Sequence, residues 1–257
     1  NGVIHSWITF GARLESAVLP EDPFVTPVEH HGRSEQHHGG KPPALSSLLE
    51  QITSAAAGTD FTGLYAAGPQ LHATRNSAGL RHVFSTESFF LDYSLFTVNP
   101  AGENKAVKGL LTGRDWQPEA LAAAIAAGRE RLNLLRRDSH PLAPGRHRVF
   151  LAPAAVDALI GILSWGGVSY GAWKKGDSAL RKLIEGEVRL SPRFRLTEDF
   201  GLGLAPRFNS LGEIPPSALT VIADGGMQNL LISTRSAREY GVSGNGADPG
   251  EGLRSPV

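Results

Sequence analysis

An apolar run at residues 219–223, the triplet Asp224-Gly225-Gly226 and a second run at residues 228–233 follow one another directly. Few folds accept that order except a β-hairpin. A tight turn between right-twisted strands needs positive φ at its centre, which Asp and Gly tolerate and most side chains do not. An irregular Gly- and Pro-bearing stretch, residues 211–216, leads into the first strand. After the second, Ser233 or Thr234 can cap a short helix through Tyr240, its hydroxyl accepting from otherwise unpaired backbone N–H groups. Gly241 suits the left-handed residue that ends such a helix.

The remaining periodicities fit around this hairpin. Residues 81–99 read as a long strand with Phe84, Phe90, Phe96 and Val98 on one parity and Val83, Phe89, Leu91, Tyr93 and Leu95 on the other. Apolar side chains on both faces predict a central strand covered on both sides. The turn-forming Asn76-Ser77-Ala78-Gly79 precedes it, and residues 104–112 can pair back. Helices are expected at 44–57, with Leu45, Leu48, Leu49 and Ile52 as a stripe, and from Pro118 to about Arg137, with Leu121, Ile125, Leu132 and Leu135 on one face. Tyr65, Tyr93 and Trp116 sit in apolar patterns and read as core. Arg129, Arg131, Arg136 and Arg137 read as a solvated helix face. Further on come a strand at 147–151, an apolar helix at 153–164, a helix at 180–185, and short strands at 188–190 and 194–196. Residues 3–10 suit a strand; residues 21–43, rich in Pro, Gly and His, read as loop or linker. The fold class is α+β, with mainly antiparallel sheets and packed helices. Two to three domains are expected: an N-terminal segment and linker over 1–57, a middle domain over 58–142 and a C-terminal domain over 143–257.

Composition narrows the chemistry. Among 257 residues, 25 Lys and Arg balance 25 Asp and Glu, so the chain lacks the basic footprint of a nucleic-acid binder. No apolar run reaches membrane-spanning length. Absence of cysteine removes disulfides and thiolate metal sites and fits a cytosolic protein. The first residue is Asn, as in a processed or partial chain. Two pairs, His30-His31 and His37-His38, could ligate a metal, but adjacent histidines without helical spacing read better as a solvated loop. Ser164 and Ser169 have no base supplied by sequence pattern, and Glu198-Asp199 would point to opposite faces of a strand, so a solvated turn is expected there. The glycines of 164–171 suit either close approach of a peptide or second subunit, or a tightly packed helix end.

Four short motifs stand in order: Leu211-Gly212-Glu213, Ile222-Ala223-Asp224-Gly225, Ser236-Ala237-Arg238 with Gly241, and Ser243-Gly244-Asn245-Gly246. Together they resemble the TldD/PmbA family, once labelled modulators of DNA gyrase and regarded as a two-subunit metallopeptidase system. The likeness extends thinly back to about Asp60. It implies that a further portion of the C-terminal domain follows, so the chain is expected to be C-terminally incomplete. Catalytic members of that family carry H-E-x-x-x-H near residues 162–167; here Ile162 and Gly167 stand at the histidine positions and Leu163 at the glutamate. No histidine follows His147, and the third ligand, a cysteine, is missing from the whole chain.

The resemblance therefore implies the non-catalytic PmbA/TldE-like branch. No catalytic, cofactor or metal residue is assigned to this chain, and zinc is expected in a TldD-like partner. The substrate class implied is an unfolded peptide or peptide precursor. The other reading is a self-associating peptide-binding or scaffold protein without peptidase activity. Arg207, Glu213, Asp224, Arg235, Arg238 and Asn245 are the candidates for a peptide or partner surface. Each also has a local reading: Asp224 as a turn residue, Arg238 as a helix-surface pair, Asn245 as a left-handed loop residue.

Overall fold

The computed structural model describes Phe24 and residues 30–257; the strand expected at 3–10 lies outside them. The fold is α+β. The first elements are strand β1 (Arg33–His38), helix α1 (Leu45–Ala55), strands β2 (Asp60–Arg75), β3 (Arg81–Val98) and β4 (Asn104–Gly113), and helix α2 (Pro118–Leu135). Strand β3 is the spine. On one edge it pairs antiparallel with β2 over residues 81–96. On the other it pairs first with β1, in parallel over residues 81–86, and then with β4, antiparallel over residues 89–98.

β1 corrects the reading of residues 21–43 as loop. Its side-chain contacts are largely polar: Ser34 Oγ lies 2.7 Å from His82 Nδ1, and His37 Nδ1 lies 2.6 Å from Ser85 Oγ, while the His38 ring packs against Phe84. Cross-strand hydrogen bonds hold it, so no apolar alternation announces it.

The expectation that β3 is covered on both faces also needs correction. His82, Phe84 and Thr86 are buried on the even parity, whereas Phe89, Leu91, Tyr93 and Leu95 are buried on the odd. The covered face changes at Glu87-Ser88. Beyond that point the even face stays open, with Phe90 and Phe96 each 38% and Val98 57% exposed. The odd face carries a core of Leu91, Tyr93, Leu95, Val107, Leu121, Ile125 and Leu132, joined by Tyr65 and Trp116 as expected. Gly128 lets α2 approach: a Cβ there would stand 2.6 Å from Leu95 Cδ1. The arginines of α2 are not all solvated. Arg129 donates to Thr59 Oγ1 at 2.7 Å and to the Ala57 carbonyl, and Arg136 donates to Thr97 Oγ1 at 2.8 Å.

The second half comprises helices α3 (Pro153–Leu163), α4 (Tyr170–Lys175) and α5 (Arg181–Ile184), strand β5 (Leu196–Asp199), a 3-10 turn (Phe200–Leu202), strands β6 (Ala218–Ala223) and β7 (Gly226–Met227), and helix α6 (Thr234–Tyr240). The hairpin turn is as expected, with Asp224 at φ 50° and Gly225 at φ 70°. Its returning strand is only two residues long. Gln228 and Asn229 both donate to the Val221 carbonyl, which breaks the ladder, and Leu231 instead bridges in parallel to Ser169. Ser233 caps α6 by accepting from Ser236 N, and Gly241 ends it at φ 66°.

The short strands expected at 188–190 and 194–196 are absent. Leu190 N donates to the Gly225 carbonyl at the hairpin turn, and the strand begins later, at Leu196. No strand forms at 147–151 either, because no partner lies alongside among the described residues. Val168, Leu183, Leu196, Val221, Ile222, Leu231 and Ala247 form the second core.

The odd face of β3 should dominate the stability of the first core. Leu91→Ala is expected to cost about 2–5 kcal/mol, and Val98→Ala under about 1 kcal/mol. Urea unfolding measures both; similar losses would contradict the change of covered face.

Candidate functional site

The loop 208–213 forms around one side chain. Asn209 Oδ1 accepts from Leu211 N at 3.0 Å and Glu213 N at 2.9 Å, while its Nδ2 donates to Glu213 Oε2 at 2.6 Å and the Ala247 carbonyl at 3.1 Å. Glu213 is thus fixed at both backbone and carboxylate. Its other oxygen accepts the Thr234 hydroxyl from the start of α6 and lies 3.1 Å from His30 Nε2. That histidine contact has ion-pair distance without hydrogen-bond alignment, so the ring nitrogen has no hydrogen-bond partner among the described residues.

The loop docks on the first half of β3. His82 stacks on Phe208 with centroids 5.3 Å apart, and its Nε2 lies 3.0 Å from the Gly212 carbonyl. A Cβ on Gly212, at φ 82°, would stand 2.1 Å from Leu80 Cδ2. Only glycine admits that approach. The result is an open cleft of about 620 Å³, bounded by His30, His31, His82, Glu213, Thr234 and Arg238.

Of the six residues singled out from sequence, Glu213 and Arg238 line this cleft. Arg207 donates through Nε to the Pro215 carbonyl at 2.8 Å. Asp224 sits at the hairpin turn, away from the cleft. Arg235 lies half-buried on α6. Asn245 is not left-handed. Its Oδ1 accepts from Ile232 N at 2.9 Å and its Nδ2 donates to the Leu230 carbonyl at 2.7 Å, so it pins the segment before α6. Sequence reading passed over His30, His31, His82 and Thr234 as parts of one site. The signal available for His82 was a polar residue on the same parity as Phe84.

Beneath α6 lies a second carboxylate. Glu251, at φ 49°, accepts from Ser169 Oγ at 2.5 Å and Gly171 N at 2.8 Å through Oε2, and from Ser233 N at 2.8 Å and Ser233 Oγ at 2.9 Å through Oε1. Burial, the largest single influence, raises its pKa, but the hydrogen bonds from Ser169, Ser236, Ser233 and Gly171 together hold it below the ordinary value. Ser169 therefore has a carboxylate beside it. That carboxylate is saturated with donors and a poor base, and Ser169 is buried, so no activated nucleophile results. Gly171 meets Ser236 and Glu251, and Gly167 meets the Leu163 carbonyl, so these two glycines serve internal packing.

Glu198 and Asp199 lie on β5, not on a solvated turn. Glu198 is 4% exposed; burial raises its carboxyl, and the Arg254 and Ser255 N–H groups partly offset this. Asp199 Oδ1 accepts from Gly201 N at 2.8 Å, capping the 3-10 turn.

Residues 144–256 match the PmbA/TldA metallopeptidase C-terminal domain. That region, rather than the whole chain, is what the family model covers. No curated protein matches it. Solved structures that it resembles include a protein named as a putative modulator of DNA gyrase from Bacteroides thetaiotaomicron (15% identity, TM-score 0.63, 91% of this chain and 58% of that one). Another of that name comes from Thermotoga maritima (16%, 0.61, 90% and 57%). A third is TldE from Thermococcus kodakarensis (13%, 0.65, 91% and 55%). At these identities the likeness establishes the fold, and the chain spans little over half the length of each.

Glu251 gives the second half a defined acid response. Because its folded pKa lies below the unfolded value near 4.5, its contribution is complete above that value and is lost as pH falls through the folded one. Glu251→Gln is expected to cost about 1–3 kcal/mol at pH 7, since the amide cannot accept from both Gly171 N and the Ser233 donors. In thermal unfolding the gap to the unmodified chain should narrow from about pH 5 to about pH 3. A gap constant over that range would contradict the assignment.

Proposed function

We propose that this chain is a PmbA/TldE-like, non-catalytic subunit of a two-subunit zinc metallopeptidase acting on unfolded peptides or peptide precursors. The observation that carries this reading is α3. It occupies the region where catalytic members of the resembled family bear their H-E-x-x-x-H, yet Ile162, Leu163 and Gly167 offer no ligand and no base. A catalytic zinc needs three protein ligands around an open position. Among the described residues no group of three His, Cys, Asp or Glu could hold a metal, and the His30–Glu213 pair stops at two. The described residues do not fit zinc.

In this reading the chain binds and orients. The cleft offers a fixed carboxylate at Glu213, imidazoles at His30 and His31, and a guanidinium at Arg238. β1 begins two residues beyond His31 and is paired on one side only among the described residues. An extended peptide laid along that edge would be held through its backbone, which reads little sequence and suits varied unfolded substrates. The partner subunit supplies the metal, the hydroxide and the base. The neutral chain makes nucleic acid an unfavoured ligand, and no helix among the described residues is long and apolar enough to cross a membrane. A cytosolic setting is consistent with the lack of cysteine.

The test is reconstitution with a TldD-type subunit bearing H-E-x-x-x-H. Stoichiometric zinc by elemental analysis and cleavage of an unstructured peptide are expected in the mixture and not in this chain alone. Zinc and cleavage in the isolated chain, or no association with the catalytic subunit, would overturn the proposal.

A further inference from the structure

The turn Asn76-Ser77-Ala78-Gly79 has no part in the candidate site. It joins β2 to β3, and Asn76 Oδ1 closes it by accepting from Leu80 N at 2.9 Å. Arg75 and Arg81 are paired directly at its base. On the other edge of β3, Arg81 N donates to the Gly32 carbonyl at 2.9 Å, and the parallel register sets Arg33 beside Arg81. Three arginines therefore stand in one row across β1, β3 and β2.

Residues paired in register share a face of the sheet, and neighbouring strands lie about 4.8 Å apart, so the three side chains rise from one face within roughly 10 Å. Like charges directly opposite one another destabilise a sheet. A carboxylate would relieve them, yet among the described residues no ion pair or hydrogen bond holds any of the three side chains. Glu35, one row further along the same face, is engaged with His37 at 3.0 Å. Arg33, Arg75 and Arg81 are all exposed, and with Ser77 and Gly79 they line a cleft of about 350 Å³. In a chain of zero formal net charge, an opposed and uncompensated row of this kind is a local conflict with folding, and such conflicts mark functional sites.

We infer that this row binds a multiply charged oxyanion, the chemistry shared by a phosphate and by adjacent carboxylates. Each guanidinium presents a planar fork of donors that matches two oxygens of either group. A single negative charge would leave two cations opposed, whereas a ligand with two or more offsets the row. The sheet presets the spacing of the three arginines, so binding orders their side chains and little else. Two sources supply this chemistry, a free phosphate compound and an acidic stretch of a peptide. The inference does not rest on the peptidase-subunit reading: it is measured on the chain alone, whereas that reading is measured in the mixture.

The test is calorimetric titration of the full chain, in a phosphate-free buffer of low salt, with inorganic pyrophosphate and separately with an unstructured peptide carrying three consecutive Glu. Saturable binding of at least one probe is expected; pyrophosphate binding points to a free phosphate source, and peptide binding to an acidic segment. Arg81→Gln, at the centre of the row, should weaken that binding at least about tenfold, the loss of one charge-assisted hydrogen bond or more. Arg33→Gln and Arg75→Gln should act in the same direction. Arg146→Gln, at an exposed arginine that does not line the cleft, should change nothing. Thermal unfolding supplies a readout that an arginine serving the fold would move the opposite way. Without ligand, Arg81→Gln should raise the melting temperature by roughly 1–3 °C by relieving the like-charge row, and it should abolish the further rise that a bound probe gives the unmodified chain. No saturable binding of either probe, affinities indifferent to the three row substitutions, an equal loss with Arg146→Gln, or a lower melting temperature for Arg81→Gln would overturn the inference.

Discussion

The change of buried face along β3 is the constraint on which the rest of the structure depends. A strand has two faces and each must be covered or left wet; β3 covers one parity up to Thr86 and the other from Phe89. Its second half is thereby committed to α2 and the first core. Its first half is free to receive the 208–213 loop through His82 and the preceding Leu80. One continuous backbone serves both packings, and the cleft is bounded by His82 on it and by Glu213 on the docked loop.

Polar anchors do what apolar packing cannot do in so glycine-rich a second half. Asn209 organises the loop that carries Glu213, Asn245 fixes the approach to α6, and Glu251 gathers residues 169–171 and 233 under that helix. Each is a polar side chain that replaces missing backbone pairing, and each is satisfied on several sides. Half-satisfied groups of this kind would be costly in a low-dielectric interior. The second core is accordingly specified by hydrogen-bond geometry as much as by volume.

Legibility in the sequence tracks the physical origin of each element. The α+β class, the hairpin turn at Asp224-Gly225, helices α1, α2, α3 and α6 and the pairing of β3 with β4 are readable because they rest on periodicity and turn chemistry. β1 is not, since Ser34 and His37 hold it by hydrogen bonds. The buried face of β3 is readable only as two apolar parities, because the cover over each half comes from distant segments. Of the candidate site, Glu213 and Arg238 emerge through motif resemblance, while His30, His31 and His82 need the tertiary fold to bring positions far apart in sequence against Glu213. Glu251 carries no local signal at all.

The proposed function is a division of labour, in which this chain shapes a cleft and a metal-bearing subunit carries the chemistry. The most direct measurement is fluorescence anisotropy of a labelled unstructured peptide titrated with the full chain. The account expects saturable binding, weakened about tenfold by Arg238→Glu (about 1.4 kcal/mol) and unchanged by Leu110→Asp on β4, a residue that does not line the cleft. Absence of binding, or equal affinity in all three proteins, would contradict it.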